Sequence, residues 1–203
     1  MQRAEVVSLF AELRTTEPVV VGPGSTSGAL YHADHRPPTI YNMDMGYATA
    51  VCLGLALAVP AERVVALEGD GSVLAGLGVL TTIGRYRPPN LVVVVFHNGV
   101  YASCGDGKVA TAAAATTDLG AVARACGIDA DKVVTVETID ATRKALSTAL
   151  TDPGPWVLVA RIEEPDRWPP GARPLPQHDL VETAVLFKRE MMRRGYRSGG
   201  QAS

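Results

Sequence analysis

Two apolar runs constrain this chain more than anything else in it: Val64-Val65-Ala66-Leu67 and Leu91-Val92-Val93-Val94-Val95-Phe96. Each is short, rich in β-branched residues and bounded by turn-forming residues, so each reads as a strand buried on both faces. The stretch between them, from Ser72 to about Tyr86, is long enough for one helix, and the breaker Arg87-Pro88-Pro89-Asn90 ends it. A strand–helix–strand crossover of this length makes the two strands parallel and puts both C-terminal ends on one edge of the sheet. The segments at those ends are Glu68-Gly69-Asp70-Gly71-Ser72 and Phe96-His97-Asn98-Gly99-Val100-Tyr101. Asp70 and Asn98 are therefore expected side by side.

One carboxylate, one amide oxygen and a nearby backbone carbonyl form a hard, oxygen-rich shell of low charge, suited to Mg²⁺ shared with a phosphate ligand. The glycines agree with this. Gly69 and Gly71 let the backbone turn sharply and approach a ligand closely. Ser72 is expected to open the helix, whose unpaired N–H groups would face the same edge and attract an anion. A diphosphate held through Mg²⁺ is the natural occupant.

The rest of the chain alternates helix and strand. Residues 3–14 read as a helix, 18–21 as a short strand running into a Gly/Ser/Thr loop at 22–28, and 46–58 as a helix of small residues. Helices are also expected at 118–126 and 139–150, with strands at 132–136 and 156–162. Unbroken apolar strands between helices indicate a three-layer α/β fold, a mostly parallel sheet with helices on both faces. Residues 1–165 are read as the ligand-binding domain. Residues 166–203 are read as an extended arm followed by a terminal helix, the proline-rich part beginning near residue 163 and the helix spanning 180–194.

Composition excludes several classes. With 47% hydrophobic residues in 203 there is ample core, and a net charge of −2 gives no reason to expect nucleic acid or an anionic membrane as partner. No apolar stretch approaches the ~20 residues that span a bilayer, and the charged N-terminus has no signal-peptide character, so a cytoplasmic location is expected. Cys52, Cys104 and Cys126 are odd in number and widely spaced, which suggests neither a disulfide framework nor zinc. His32, His35, His97 and His178 show no metal-ligand spacing.

Gly69-Asp70-Gly71-Ser72, a spacer of under about thirty residues, then Asn98-Gly99 resembles the cofactor motif of thiamine-diphosphate enzymes, closest to the decarboxylase group. The resemblance covers roughly residues 15–165, the diphosphate-binding domain of those enzymes. Asn98-Gly99-Val100-Tyr101-Ala102-Ser103 and Leu175-Pro176-Gln177-His178-Asp179 are most similar to sulfopyruvate decarboxylase β subunits, with the matching half of phosphonopyruvate decarboxylases nearly as close. The resemblance implies that Asp70, the Asn98 side chain and the Val100 carbonyl bind Mg²⁺. It also implies that Ser25 and Thr26, in the loop after the first strand, touch the diphosphate together with Gly69, Gly71 and Ser72. Tyr101, just beyond the metal loop, is a candidate to face the same site.

In Asn42-Met43-Asp44-Met45-Gly46-Tyr47 the resemblance makes Met45 the apolar wedge that bends the cofactor, and the Met43 carbonyl an acceptor for its aminopyrimidine. Met43 and Asp44 depart from the Gly and Ser usual there, and His97 stands where Asp or Asn is common. The glutamate that activates the cofactor lies, in that family, on a separate pyrimidine-binding domain for which this chain lacks the length, so no catalytic side chain is expected here. The resemblance therefore implies a separate α subunit, an assembly such as α2β2, thiamine diphosphate and Mg²⁺ as cofactors, and a small 2-oxo acid substrate. Two other outcomes stay open: a carboligase subunit using the same cofactor, and a non-catalytic regulatory subunit that kept the fold.

Overall fold

The computed structural model describes residues 1–102, 109–163 and 176–196. The expected strands appear as β1 (Val19–Val21), β3 (Val64–Gly69), β4 (Leu91–His97), β7 (Val133–Val136) and β8 (Trp156–Arg161), joined by an edge strand β2 (Thr39–Ile40). All six are parallel, in the order β2-β1-β3-β4-β8-β7. Central β4 is buried along its entire length, as its unbroken valine run requires.

Alternation along the strands divides the core into two layers. Val93 and Val95 pack with α3 (Ala48–Ala58), α5 (Val79–Tyr86), α6 (Leu119–Ala125) and α8 (Leu180–Arg193) on one face. Val92, Val94 and Phe96 pack with α1 (Arg3–Leu13), α2 (Ser25–Asp34) and α7 (Ile139–Thr151) on the other. Asp118, Thr138 and Asp179 cap α6, α7 and α8 by accepting backbone N–H bonds within the first turn.

Three local expectations are corrected. The crossover is two helices, α4 (Asp70–Ala75) and α5, separated at Gly76-Leu77-Gly78. The break lets two backbones approach: a Cβ on Gly76 would lie 2.3 Å from the Gly46 carbonyl oxygen. The first of these helices starts at Asp70, not Ser72, because Gly69 is its cap. The 22–28 segment is a loop only as far as Gly24, whose φ of +91° turns the chain directly into α2. Ser103, Cys104 and most of the proline-rich arm lie outside the described residues.

A short antiparallel ribbon, β5 (Val100–Tyr101) with β6 (Val109–Ala110), stands beyond the C-terminal end of β4. Nothing in the strand pattern announced it, and it completes the site.

Candidate functional site

Parallel pairing of β3 with β4 places Gly69 opposite Phe96, so Asp70 and Asn98 leave neighbouring strand tips on one edge. Asp70 is 1% exposed. Its Oδ2 accepts the Gly99 N–H at 3.2 Å and the Thr111 hydroxyl at 2.7 Å. Both bonds fall on one oxygen, and Oδ1 is the atom left to the cavity that Asp70 lines. The Asn98 Oδ1 accepts the Val100 N–H at 3.2 Å, closing a tight turn through Gly99, where φ is +75°. Thr111 gives no signal in its alanine-rich surroundings; the β5–β6 ribbon folds it back onto Asp70, with its N–H donating to the Gly99 carbonyl at 2.8 Å.

These loops surround a cavity of about 120 Å³. The first set of lining residues is Gly69, Asp70, Gly71, Ser72, Asn98, Val100 and Tyr101. The second, from the first turn of α2 and the loop before α3, is Ser25, Thr26 and Met45. Ten of the eleven residues singled out from the sequence thus meet at one place. Met43 does not line it: its side chain packs against the α3 layer of the core and its N–H donates to the Val21 carbonyl at 2.9 Å. A Cβ at Gly24 or Gly69 would meet nothing within 4 Å, so both positions are open toward a ligand. Gly71 is the opposite case, because a Cβ there would come within 2.3 Å of the Tyr101 ring. Tyr101 thus rests directly on the glycine turn.

The loop carrying Met45 is fixed from below by a residue that the sequence reading assigned no role. Glu68, 1% exposed at the end of β3, accepts the Ser72 hydroxyl at 2.6 Å through Oε1. Through Oε2 it accepts the Thr49 N–H at 3.2 Å and the Thr49 hydroxyl. Ser72 Oγ in turn accepts the Gly46 N–H at 2.9 Å. The Ser72 hydroxyl is therefore committed to this network, and its main-chain N–H is what remains for a ligand. Met45, 40% exposed, is held beside the cavity by backbone rather than packed into the core.

A second overlooked residue is Arg3. Its residue is 6% exposed, Nη1 donates to Thr26 Oγ1 at 2.8 Å, and its guanidinium stands 5.6 Å from the centre of the Phe96 ring. Among the described residues, the cavity wall thus carries one carboxylate and one guanidinium. Among the described residues no group of three or more His, Cys, Asp or Glu could by itself hold a metal ion. Any cation here would take oxygen ligands from few side chains and complete its shell from the ligand, which is the habit of Mg²⁺. At about 120 Å³ the cavity is smaller than the ~300 Å³ lower end of pockets for whole drug-sized ligands, so it matches one end of such a molecule.

Comparison with known proteins bears on this geometry. Residues 22–160 match the family model described as thiamine pyrophosphate enzyme, C-terminal TPP binding domain. The chain is 33% identical over 189 residues to sulfopyruvate decarboxylase subunit beta of Methanococcus maripaludis, covering 93% of this chain and 95% of that protein. It is 42% identical over 156 residues to phosphonopyruvate decarboxylase of Streptomyces viridochromogenes, but that match covers 76% of this chain and 38% of that larger protein. Among solved structures, benzoylformate decarboxylase from Polynucleobacter necessarius superposes with a TM-score of 0.69 at 22% identity, over 81% of this chain and 33% of that one. The last likeness concerns the fold.

Proposed function

The chain belongs to the thiamine pyrophosphate enzymes through their C-terminal TPP binding domain, and from that premise we propose that it is the β subunit of a heteromeric thiamine-diphosphate-dependent 2-oxo acid decarboxylase. The observation that carries this reading is the placement of Asp70 and Asn98 on one cavity at adjacent strand tips. Support for the β-subunit part comes from the sulfopyruvate decarboxylase β subunit, which the match covers almost end to end. The proposed substrate is sulfopyruvate, phosphonopyruvate or a related three-carbon 2-oxo acid. The proposed location is the cytoplasm; no described helix is long and apolar enough to cross a membrane.

The residues present suit the cofactor. Asp70 Oδ1, the Asn98 amide oxygen and the Val100 carbonyl would hold Mg²⁺ with a hard, singly charged donor set. The open positions at Gly24 and Gly69 leave room for phosphate oxygens against the backbone. Ser25, Thr26, Gly71 and the Ser72 N–H line the same cavity. When bound, thiamine diphosphate supplies the nucleophilic carbon and the electron sink through which a 2-oxo acid loses CO₂. The work of this chain is anchoring and shaping. Its metal loop would hold the diphosphate, Met45 would pack beneath the cofactor, the Met43 carbonyl would accept from the aminopyrimidine beyond this cavity, and Tyr101 covers Gly71. The activating glutamate comes from the α subunit, which is expected to carry the pyrimidine-binding domain and to assemble with this chain as α2β2 or a similar complex.

The test is reconstitution. The chain is combined with a short chain encoded beside it that carries a suitable glutamate, and CO₂ release from sulfopyruvate and phosphonopyruvate is measured with Mg²⁺ and thiamine diphosphate. Turnover by the pair and none by either chain alone is expected. Full turnover by this chain alone would refute the split site. An acyloin product with no aldehyde would reassign the chain to carboligation, and failure of the pair to bind cofactor would favour a regulatory role.

A further inference from the structure

Arg3 stands outside the span that matches the family, yet its side chain lines the cavity. The fold explains how. The helix α1 leads into the start of β1, so its first turn lies at the opposite edge, where β3 and β4 end. The bond from the Glu163 N–H, just past β8, to the Met1 carbonyl at 2.8 Å fixes that end of the helix there. The contacts that orient Arg3 include its donation to the Thr26 hydroxyl and its position over the Phe96 ring. A guanidinium held in this way offers a rigid fork of N–H donors that matches phosphate oxygens.

Charge balance points the same way. The cavity already contains the Asp70 carboxylate, and one Mg²⁺ does not cancel that charge together with a diphosphate ester. A guanidinium complements the remaining negative charge, and among the described lining residues Arg3 carries one. We propose that Arg3 is a direct ligand of the diphosphate oxygens. It would be a third anchor beside the metal and the Ser25–Thr26 start of α2, with Thr26 orienting it by accepting from Nη1. The proposal rests on the cofactor reading above and goes beyond it, because Arg3 belongs to none of the motifs that carry that reading.

The experiment is calorimetric titration of magnesium pyrophosphate into the full chain, for the wild type and for Arg3→Gln, Arg3→Lys and Asp70→Ala. Loss of a charge-assisted hydrogen bond predicts at least about tenfold weaker binding for Arg3→Gln. Partial recovery is expected in Arg3→Lys, which keeps the charge but not the fork. Wild-type affinity in Arg3→Gln alongside abolished binding in Asp70→Ala would overturn the Arg3 assignment and leave the cofactor reading intact. Equal losses in the Gln and Lys variants, with matching losses of melting temperature, would make Arg3 merely structural and overturn the proposal as well. Unchanged binding in Asp70→Ala would remove the cofactor reading and this inference together. A readout on the wild type avoids any folding defect. The guanidinium resonance missing from the ¹⁵N-arginine-labelled Arg3→Lys spectrum must shift when magnesium pyrophosphate saturates the wild-type chain; a resonance that stays in place overturns the proposal.

Discussion

Glu68→Gln isolates how the loop carrying Met45 is held. The substitution preserves shape and replaces one acceptor oxygen with a donor, in a residue that is 1% exposed and accepts three hydrogen bonds. If the new amide nitrogen takes the place of Oε2, it faces both donors of Thr49. If it takes the place of Oε1, it faces Ser72 Oγ, which already accepts from Gly46, and the hydroxyl proton loses its acceptor. Either arrangement leaves at least one buried donor unsatisfied, at about 1–3 kcal/mol. A net loss of about 2 kcal/mol lowers Tm by roughly 4–8 °C in a chain of this size. Glu68 does not line the cavity, so any accompanying loss of cofactor affinity must pass through the residues it holds, Ser72 and the Gly46 and Met45 backbone. Thermal unfolding by circular dichroism gives the first quantity, and titration with the partner present gives the second. A Tm within about 1 °C of wild type would show that the three bonds contribute little and would refute the reasoning.

Three further outcomes follow from the geometry. In Gly71→Ala the new Cβ meets the Tyr101 ring at 2.3 Å, and the half-buried ring gives way into the cavity; magnesium pyrophosphate affinity should fall about tenfold or more with a near-native Tm, both read in one set of titrations and melts. Gly84→Ala is the contrasting case: its Cβ would lie 1.9 Å from the Cys126 carbonyl oxygen, a backbone clash between α5 and the end of α6 that should cost ~1–3 kcal/mol of stability without altering ligand affinity per folded molecule. His35 stacks on both Tyr31 and His178, which also touch each other, and burial first, then His178 and Arg14, lower its pKa in the folded state. The folded chain then binds fewer protons than the unfolded one, so this contribution to stability is present above the unfolded value near 6.5 and is lost as pH falls through that value toward the lowered folded one; melting from pH 7.5 to 5 should show a steeper loss in wild type than in His35→Gln, and equal slopes would exclude His35.

Much of this arrangement could be read from residues, for identifiable physical reasons. The valine runs of β3 and β4 allow one structure, a pair of buried parallel strands, and the register that follows brings the tips bearing Asp70 and Asn98 together. What escaped the reading depends on contacts between distant segments. Gly76-Leu77-Gly78 could have signalled a broken helix, but its cause is the approach of the Gly46 backbone, which no local pattern encodes. Thr111 reaches Asp70 only because the β5–β6 ribbon reverses the chain. Arg3 reads as an ordinary charged residue opening an amphipathic helix, and only the direction of α1 carries it to the ligand edge. Edge strand β2, two residues long, is below the length at which periodicity is informative.

The central claim is that Asp70 binds a magnesium ion that bridges to a diphosphate. Its most direct test is calorimetry of thiamine diphosphate binding to the reconstituted pair, with and without Mg²⁺, for wild type and Asp70→Ala. The account predicts tight binding in wild type that disappears on chelating Mg²⁺, and no metal-dependent binding in the variant. Equal, metal-independent affinity in both proteins would contradict it.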